Sequence, residues 1–165
     1  MDHPVTEGRL LPSHQRLCLG CGTDHPSGLG IVLRGEGTRV TGSFVVGHHH
    51  EGAPGLAHGG IVATALDEAM AGLLWLLRQP AVTSWLEVEF HRPVPTGSRV
   101  DLDADLDRRE APREGGRGKI YVRATARIGD EVVAEGRSIF VEVEMDHFAP
   151  YIGHLGIGVE DLFDL

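Results

Sequence analysis

The chain has 165 residues, 41% of them apolar and 24% charged, which is the size and balance of one compact domain with a sizeable core. Its 15 Lys and Arg against 24 Asp and Glu give a formal charge of −9, which excludes general affinity for nucleic acid or an anionic membrane. An anionic ligand would have to meet local cations.

The opening residues, Met1 to Leu11, are acidic and broken by a proline, without the apolar run of a secretory leader, so a cytoplasmic protein is expected. Residues 1–27 read as an irregular N-terminal arm. The two cysteines, Cys18 and Cys21, both lie in it. A structural zinc site usually needs four ligands, commonly from two such pairs. No second pair exists, and although His14 or His25 could complete four ligands, the favoured reading is a compact loop with two reduced thiols and no metal.

Residues 28–144 carry the periodic pattern. Leu29 to Arg34 and Thr38 to Gly47 read as strands of a hairpin turning at Gly35-Glu36-Gly37. His48 to Ala57 is Gly- and Pro-rich and reads as a loop, its three adjacent histidines solvated rather than metal-binding. Gly59 to about Arg78 is rich in Ala and Leu, lacks proline and stops before Pro80, which predicts one long helix. It is apolar nearly all round, so it belongs in a core rather than a membrane, with Asp67 and Glu68 as its only carboxylates.

After Pro80 the period becomes two. Leu86, Val88 and Phe90 alternate with polar residues, as do Val100 to Leu106 and Ile120 to Ile128. A last strand, Val132 to Glu144, has Val133, Ile139, Val141 and Val143 as its expected inward set and Gly136 as its candidate bulge. The outward Asp101, Asp103, Asp105 and Asp107 run along a strand rather than around a point, so they read as a solvated face. Residues 145–165 form a C-terminal tail. Two strands, a helix and four strands make an α+β domain with an antiparallel sheet of about six strands. One helix covers only one face of so long a sheet, so a second subunit is expected to complete the burial.

The chemistry concentrates where the loop meets the helix. His58-Gly59-Gly60 gives a helix start with unpaired N–H groups, the positive end of the helix dipole and room for a ligand to approach the backbone. One donor placed on a developing oxyanion lowers a barrier by about 3 to 4 kcal/mol. Asp67 and Glu68 point about 100° apart, so they are unsuited to sharing a proton; one is expected to face the site and the other solvent or an arginine. Proline at Gly59 is expected to damage the fold.

The run from His50 through His58-Gly59-Gly60 to Asp67-Glu68-Ala69-Met70 resembles the signature of hotdog-fold acyl-coenzyme A thioesterases of the PaaI-like group. Cys18 to Gly22 with Pro26 to Gly30, and Thr83 to Gly97, resemble the arm and the post-helix strand of that family. The resemblance implies a hotdog fold, the sheet wrapped around one long central helix, and hydrolysis of an acyl-coenzyme A thioester without a cofactor. It implies Asp67 as general base or nucleophile, an oxyanion hole at Gly59 or Gly60, His58 ordering the turn and Thr83 positioning water. Glu51 and Gly52 would touch the substrate, with Glu51 standing where relatives carry an amide. Arg92, Arg108, Arg109, Arg117 and Lys119 are the candidate cations for coenzyme A phosphates. Homodimers or homotetramers with active sites between subunits are implied too. A non-catalytic acyl-coenzyme A binder and a hotdog dehydratase or hydratase are the alternatives.

Overall fold

The computed structural model describes residues 8–153, so the first seven residues and the end of the tail, 154–165, lie outside it. Three strands come first: β1 (Arg9–Leu11), β2 (Val32–Glu36) and β3 (Arg39–Val45). A 3-10 turn (His48–His50) and the short strands β4 (Glu51–Ala53) and β5 (Leu56–Ala57) lead into the helix α1 (Gly59–Leu77). Four long strands follow, β6 (Ala81–Phe90), β7 (Arg99–Glu110), β8 (Lys119–Ile128) and β9 (Glu131–Glu142), then a 3-10 turn (Met145–His147) and the short helix α2 (Ala149–Ile152).

Seven strands form one antiparallel sheet in the order β1-β2-β3-β7-β8-β9-β6, and β4 and β5 pair separately. The sheet packs on α1, the expected hotdog arrangement. Val100, Leu102 and Ala104 of β7 and Ile120, Val122, Ala124 and Ala126 of β8 face inward and are buried, as are Val62, Leu66, Met70 and Leu73 of the helix. Length and composition alone would let α1 cross a membrane. Its burial under the sheet makes it a core helix. Gly72 lets it settle closely on the β2–β3 hairpin, since a Cβ there would lie 2.9 Å from Leu33 Cδ1 and 3.1 Å from Val40 Cγ1. The helix ends in a Schellman turn, with Gln79 N–H donating to Leu74 O at 3.0 Å and Arg78 held in the left-handed region at φ 52°. On the outer face of the sheet the aspartate row is laced to cations, Asp101 to Arg99 at 3.0 Å and Asp103 to Arg39 through two hydrogen bonds.

Five expectations change. The arm is not wholly irregular, because β1 adds a seventh strand beside β2. The β2–β3 turn sits at Gly37-Thr38, with Glu36 opposite Arg39, and Gly35 belongs to the strand beneath Leu76. Val133 and Val143 are buried as expected, but along β9 between them the inward residues are Ala134, Gly136, Ser138 and Phe140, and Ile139 and Val141 are only half-buried. The irregularity falls at Val133 rather than Gly136: Ala126 pairs with Ala134 but Arg127 with Val132, and the extra residue reverses the alternation. Finally β6, expected to be half-buried, is the sheet's outer edge. It pairs only with β9, leaving Trp85, Leu86 and Phe90 exposed at 43%, 38% and 53%.

Candidate active site

Local chemistry fixes the start of α1. His58 is extended (φ −64°, ψ 136°) and caps the helix, its Nδ1 accepting the Gly60 N–H at 2.9 Å, so its ring proton sits on Nε2. The His58 N–H donates to His50 O at 2.7 Å. His50 itself is buried, its Nδ1 accepting the Gly47 N–H at 2.9 Å and its Nε2 3.3 Å from Ser27 O. The solvated reading therefore holds for His48 and His49 but not for His50, which is a structural strut. Gly52 has a packing reason to be glycine: a Cβ there would stand 2.7 Å from His58 Cα.

With Gly60 N–H taken by His58, the Gly59 N–H is the donor at this helix start that has no intramolecular acceptor among the described residues. Gly59 is exposed and opens on a cavity of about 320 Å³, lined also by Ala57, Val62, Phe90, His91, Arg92, Pro93 and Val94. Proline at Gly59 fits better than expected. This is the first helical position, where no intrahelical N–H is lost, and a Cβ would make only an ordinary 3.5 Å contact with Phe90.

Two turns along the helix, Asp67 is half-buried and faces β6, where Thr83 Oγ1 donates to its Oδ1 at 3.4 Å. Burial, and then the neighbouring Glu68 carboxylate, raise the Asp67 pKa above the ordinary aspartate value, and the Thr83 hydroxyl partly offsets them. Glu68 turns the other way, but toward neither solvent nor an arginine. It meets the arm, 3.4 Å from Cys18 Sγ and 3.8 Å from His14 Nδ1.

The candidate cations split into two groups. Arg92 lines the cavity beside Gly59 and is paired with Glu131 at 2.7 Å. The others cluster at the far end of the sheet: Arg109 binds Glu142 at 2.7 Å and Gln79 at 3.3 Å, Arg108 stacks 3.5 Å over the Tyr121 ring, Lys119 opens β8 opposite Glu110, and Arg117 is exposed in the β7–β8 loop. The Arg92 N–H donates to Val133 O near one end of β9 and Lys119 pairs with Val141 near the other, eight residues or about 26 Å along the strand, so one chain does not gather all five cations. Glu51 is exposed and 3.2 Å from His48 Nδ1, outside the cavity lining. Phe90 is the residue that the sequence reading missed. Its place in an apolar alternation marked it as core, whereas it stands at the mouth of the helix start.

Residues 54–110, which hold His58, Gly59, Gly60, Asp67, Thr83 and Arg92, match the family model of the thioesterase superfamily. The match takes in 57 of the 165 residues, from the loop before β5 to the end of β7. Human acyl-coenzyme A thioesterase THEM5 is 29% identical over 109 residues, 65% of this chain and 42% of that one. The chain thus spans less than half the length of this curated relative. Among solved structures, a thioesterase superfamily protein superposes with a TM-score of 0.68 at 24% identity, covering 76% of this chain and 60% of that one. A variant of the phenylacetic acid degradation protein PaaI from Thermus thermophilus gives 0.61 at 23% identity, covering 70% and 95%. The thioesterase-superfamily match and the hotdog fold thus agree with the resemblance carried by the run from His50 to Met70.

Proposed function

We propose that the protein hydrolyses acyl-coenzyme A thioesters in a site made by two copies of the chain. The observation that carries this reading is the separation of the two chemical halves. Gly59 and Asp67 are eight residues apart on one helix, about 12 Å along its axis, too far for one thioester carbonyl to meet both. Each half is otherwise ready: an unpaired N–H beside a cavity, and a half-buried carboxylate with a hydroxyl next to it.

The edge strand β6 supports a homodimer as the smallest assembly that completes the site. It runs between the two halves, from Thr83 to Phe90, and offers an unpaired backbone edge with Trp85, Leu86 and Phe90 exposed. Two such edges brought together would carry the Asp67 of one chain toward the helix start of the other. They would also bring Arg92 of one chain toward the partner copy's far-end cations, for the phosphates of coenzyme A.

In that site Asp67, ionised, takes a proton from a water that Thr83 helps to hold. The resulting hydroxide adds to the thioester carbonyl carbon, and the oxyanion forms against the Gly59 N–H. Collapse of the tetrahedral intermediate breaks the C–S bond, expelling the coenzyme A thiolate and leaving the free acid. His58 orders the turn by holding Gly60 N–H. A dehydratase would need a histidine nitrogen free to take a proton, whereas His58 Nδ1 is engaged by the Gly60 N–H and its ring proton sits on Nε2.

Thiol release from short, long and aromatic acyl-coenzyme A esters tests the reading. Turnover that is lost in Asp67→Asn is expected. Saturable binding of these esters without turnover of any would replace the enzyme with a carrier.

A further inference from the structure

Beside the helix, and independent of the thioesterase reading, the arm builds a cluster that the expected pair of reduced thiols does not explain. His14, Cys18, Cys21 and Glu68 each place one ligand atom within 4.8 Å of the others. Cys21 Sγ is 3.2 Å from His14 Nδ1, Cys18 Sγ is 3.4 Å from Glu68 Oε2, and His14 Nδ1 is 3.8 Å from Glu68 Oε1. A tetrahedral zinc ion with bonds of about 2.0 to 2.3 Å has ligand-to-ligand edges of about 3.3 to 3.8 Å. Three of the six edges already lie at 3.2 to 3.8 Å, two of them to different oxygens of Glu68, and all four ligand atoms fit within 4.8 Å, so a bound ion would draw the remaining edges in.

We propose that His14, Cys18, Cys21 and Glu68 form a structural zinc site that fastens the N-terminal arm to α1 at the residue following Asp67. The donor set suits the ion: two thiolates and an imidazole are typical zinc ligands, and a carboxylate is an accepted fourth. Two thiolates and one carboxylate against Zn²⁺ leave a net charge of −1. Four protein ligands close the coordination sphere, which marks a structural rather than a hydrolytic centre.

The surroundings hold the ligands in place. The His14 ring stacks on Trp75 of the helix, centroids 5.4 Å apart and planes 24° from parallel, and Ser13 Oγ stands 3.6 Å from Cys21 Sγ. The Cys18-x-x-Cys21 turn closes through Gly22 N–H to Cys18 O at 2.9 Å, and a Cβ at Gly22 would lie 2.4 Å from that oxygen. At Gly20 a Cβ would stand 2.3 Å from Glu68 Oε2, so this glycine is what lets the turn reach the carboxylate. Leu29 N–H to Leu19 O and Ile31 N–H to Gly20 O then tie the turn to the segment entering β2. Without an ion the arrangement is costly: the buried Cys21 thiol stands beside the Glu68 carboxylate and the Cys18 thiol. A divalent cation reverses that by taking the thiolate, releasing its proton to solvent.

The test uses the full chain, reduced and stripped with a chelator, and titrates Co²⁺ as a visible substitute for Zn²⁺. The expected result is one Co²⁺ per chain, with thiolate-to-metal charge transfer and the intense d–d bands of four-coordinate cobalt, all displaced by Zn²⁺. Cys18→Ser should lower the charge-transfer intensity to about that of a single thiolate, the one left on Cys21, and His14→Ala and Glu68→Gln should shift the d–d bands and weaken binding. Zn²⁺ should raise the melting temperature of the unsubstituted chain and raise it less in each variant. Absence of a thiolate band would overturn the proposal, as would bands and affinity indifferent to both His14→Ala and Glu68→Gln. Because Glu68→Gln is nearly isosteric, a folded variant keeps the result readable even if Cys18→Ser misfolds.

Discussion

Asp67 and Glu68 are neighbours in the chain and have opposite surroundings. Asp67 looks across α1 to the open β6 edge and one threonine hydroxyl, while Glu68 looks to a closed group of one imidazole and two thiols. The 100° that separates adjacent helix positions thus places one carboxylate on a face beside the open sheet edge and the other on a face covered by the chain's own arm. One helix turn serves two purposes because its two sides are covered differently.

The largest expected effect breaks the open side. Asp67→Asn should lower kcat by about 100- to 10,000-fold, the range of a positioned general base, as read by thiol release. Its melting temperature at neutral pH should be equal or higher. Asp67 has a raised folded pKa, so its contribution to stability is fullest below the unfolded carboxylate pKa and is lost as pH rises through the folded value. Any stability gain from asparagine should therefore shrink in acid.

Next in size is a mixing experiment that asks whether the open side belongs to a two-chain site. Asp67→Asn and Gly59→Pro are each expected to be inactive as homodimers. After subunit exchange, the mixed dimer contains one site with both native groups, so about a quarter of the activity should return for complete exchange in a two-fold dimer. No recovery, with exchange verified, would confine the site to a single chain. Gly52→Ala, which drives a Cβ into the His58 backbone, should cost about 1 to 3 kcal/mol in denaturant unfolding. The smallest effect joins the two sides. On chelator-treated protein, Glu68→Gln should move the acid limb of the kcat/KM profile to lower pH. The limb should remain above the ordinary aspartate range, because burial is the larger cause of the Asp67 shift and survives the substitution.

How far the sequence could be read depended on how local each feature is. The helix from Gly59 to Leu77, the inward sets of β7 and β8, and the clustering of chemistry at His58-Gly59-Gly60 and Asp67 all follow from periods of 3.6 and 2 and from helix-end signals, which residues a few positions apart impose on one another. Even there, Gly60's engagement with His58 depended on a side-chain rotamer that no pattern specifies. The β9 alternation failed because a single extra residue at Val133 reverses the face of everything after it. Only the tertiary structure decided that β6 closes the sheet against β9 and so exposes Phe90, and that Cys18 and Cys21 meet Glu68 some fifty positions later. Those contacts join segments distant in the chain, and their energy comes from packing and pairing that local periodicity does not encode.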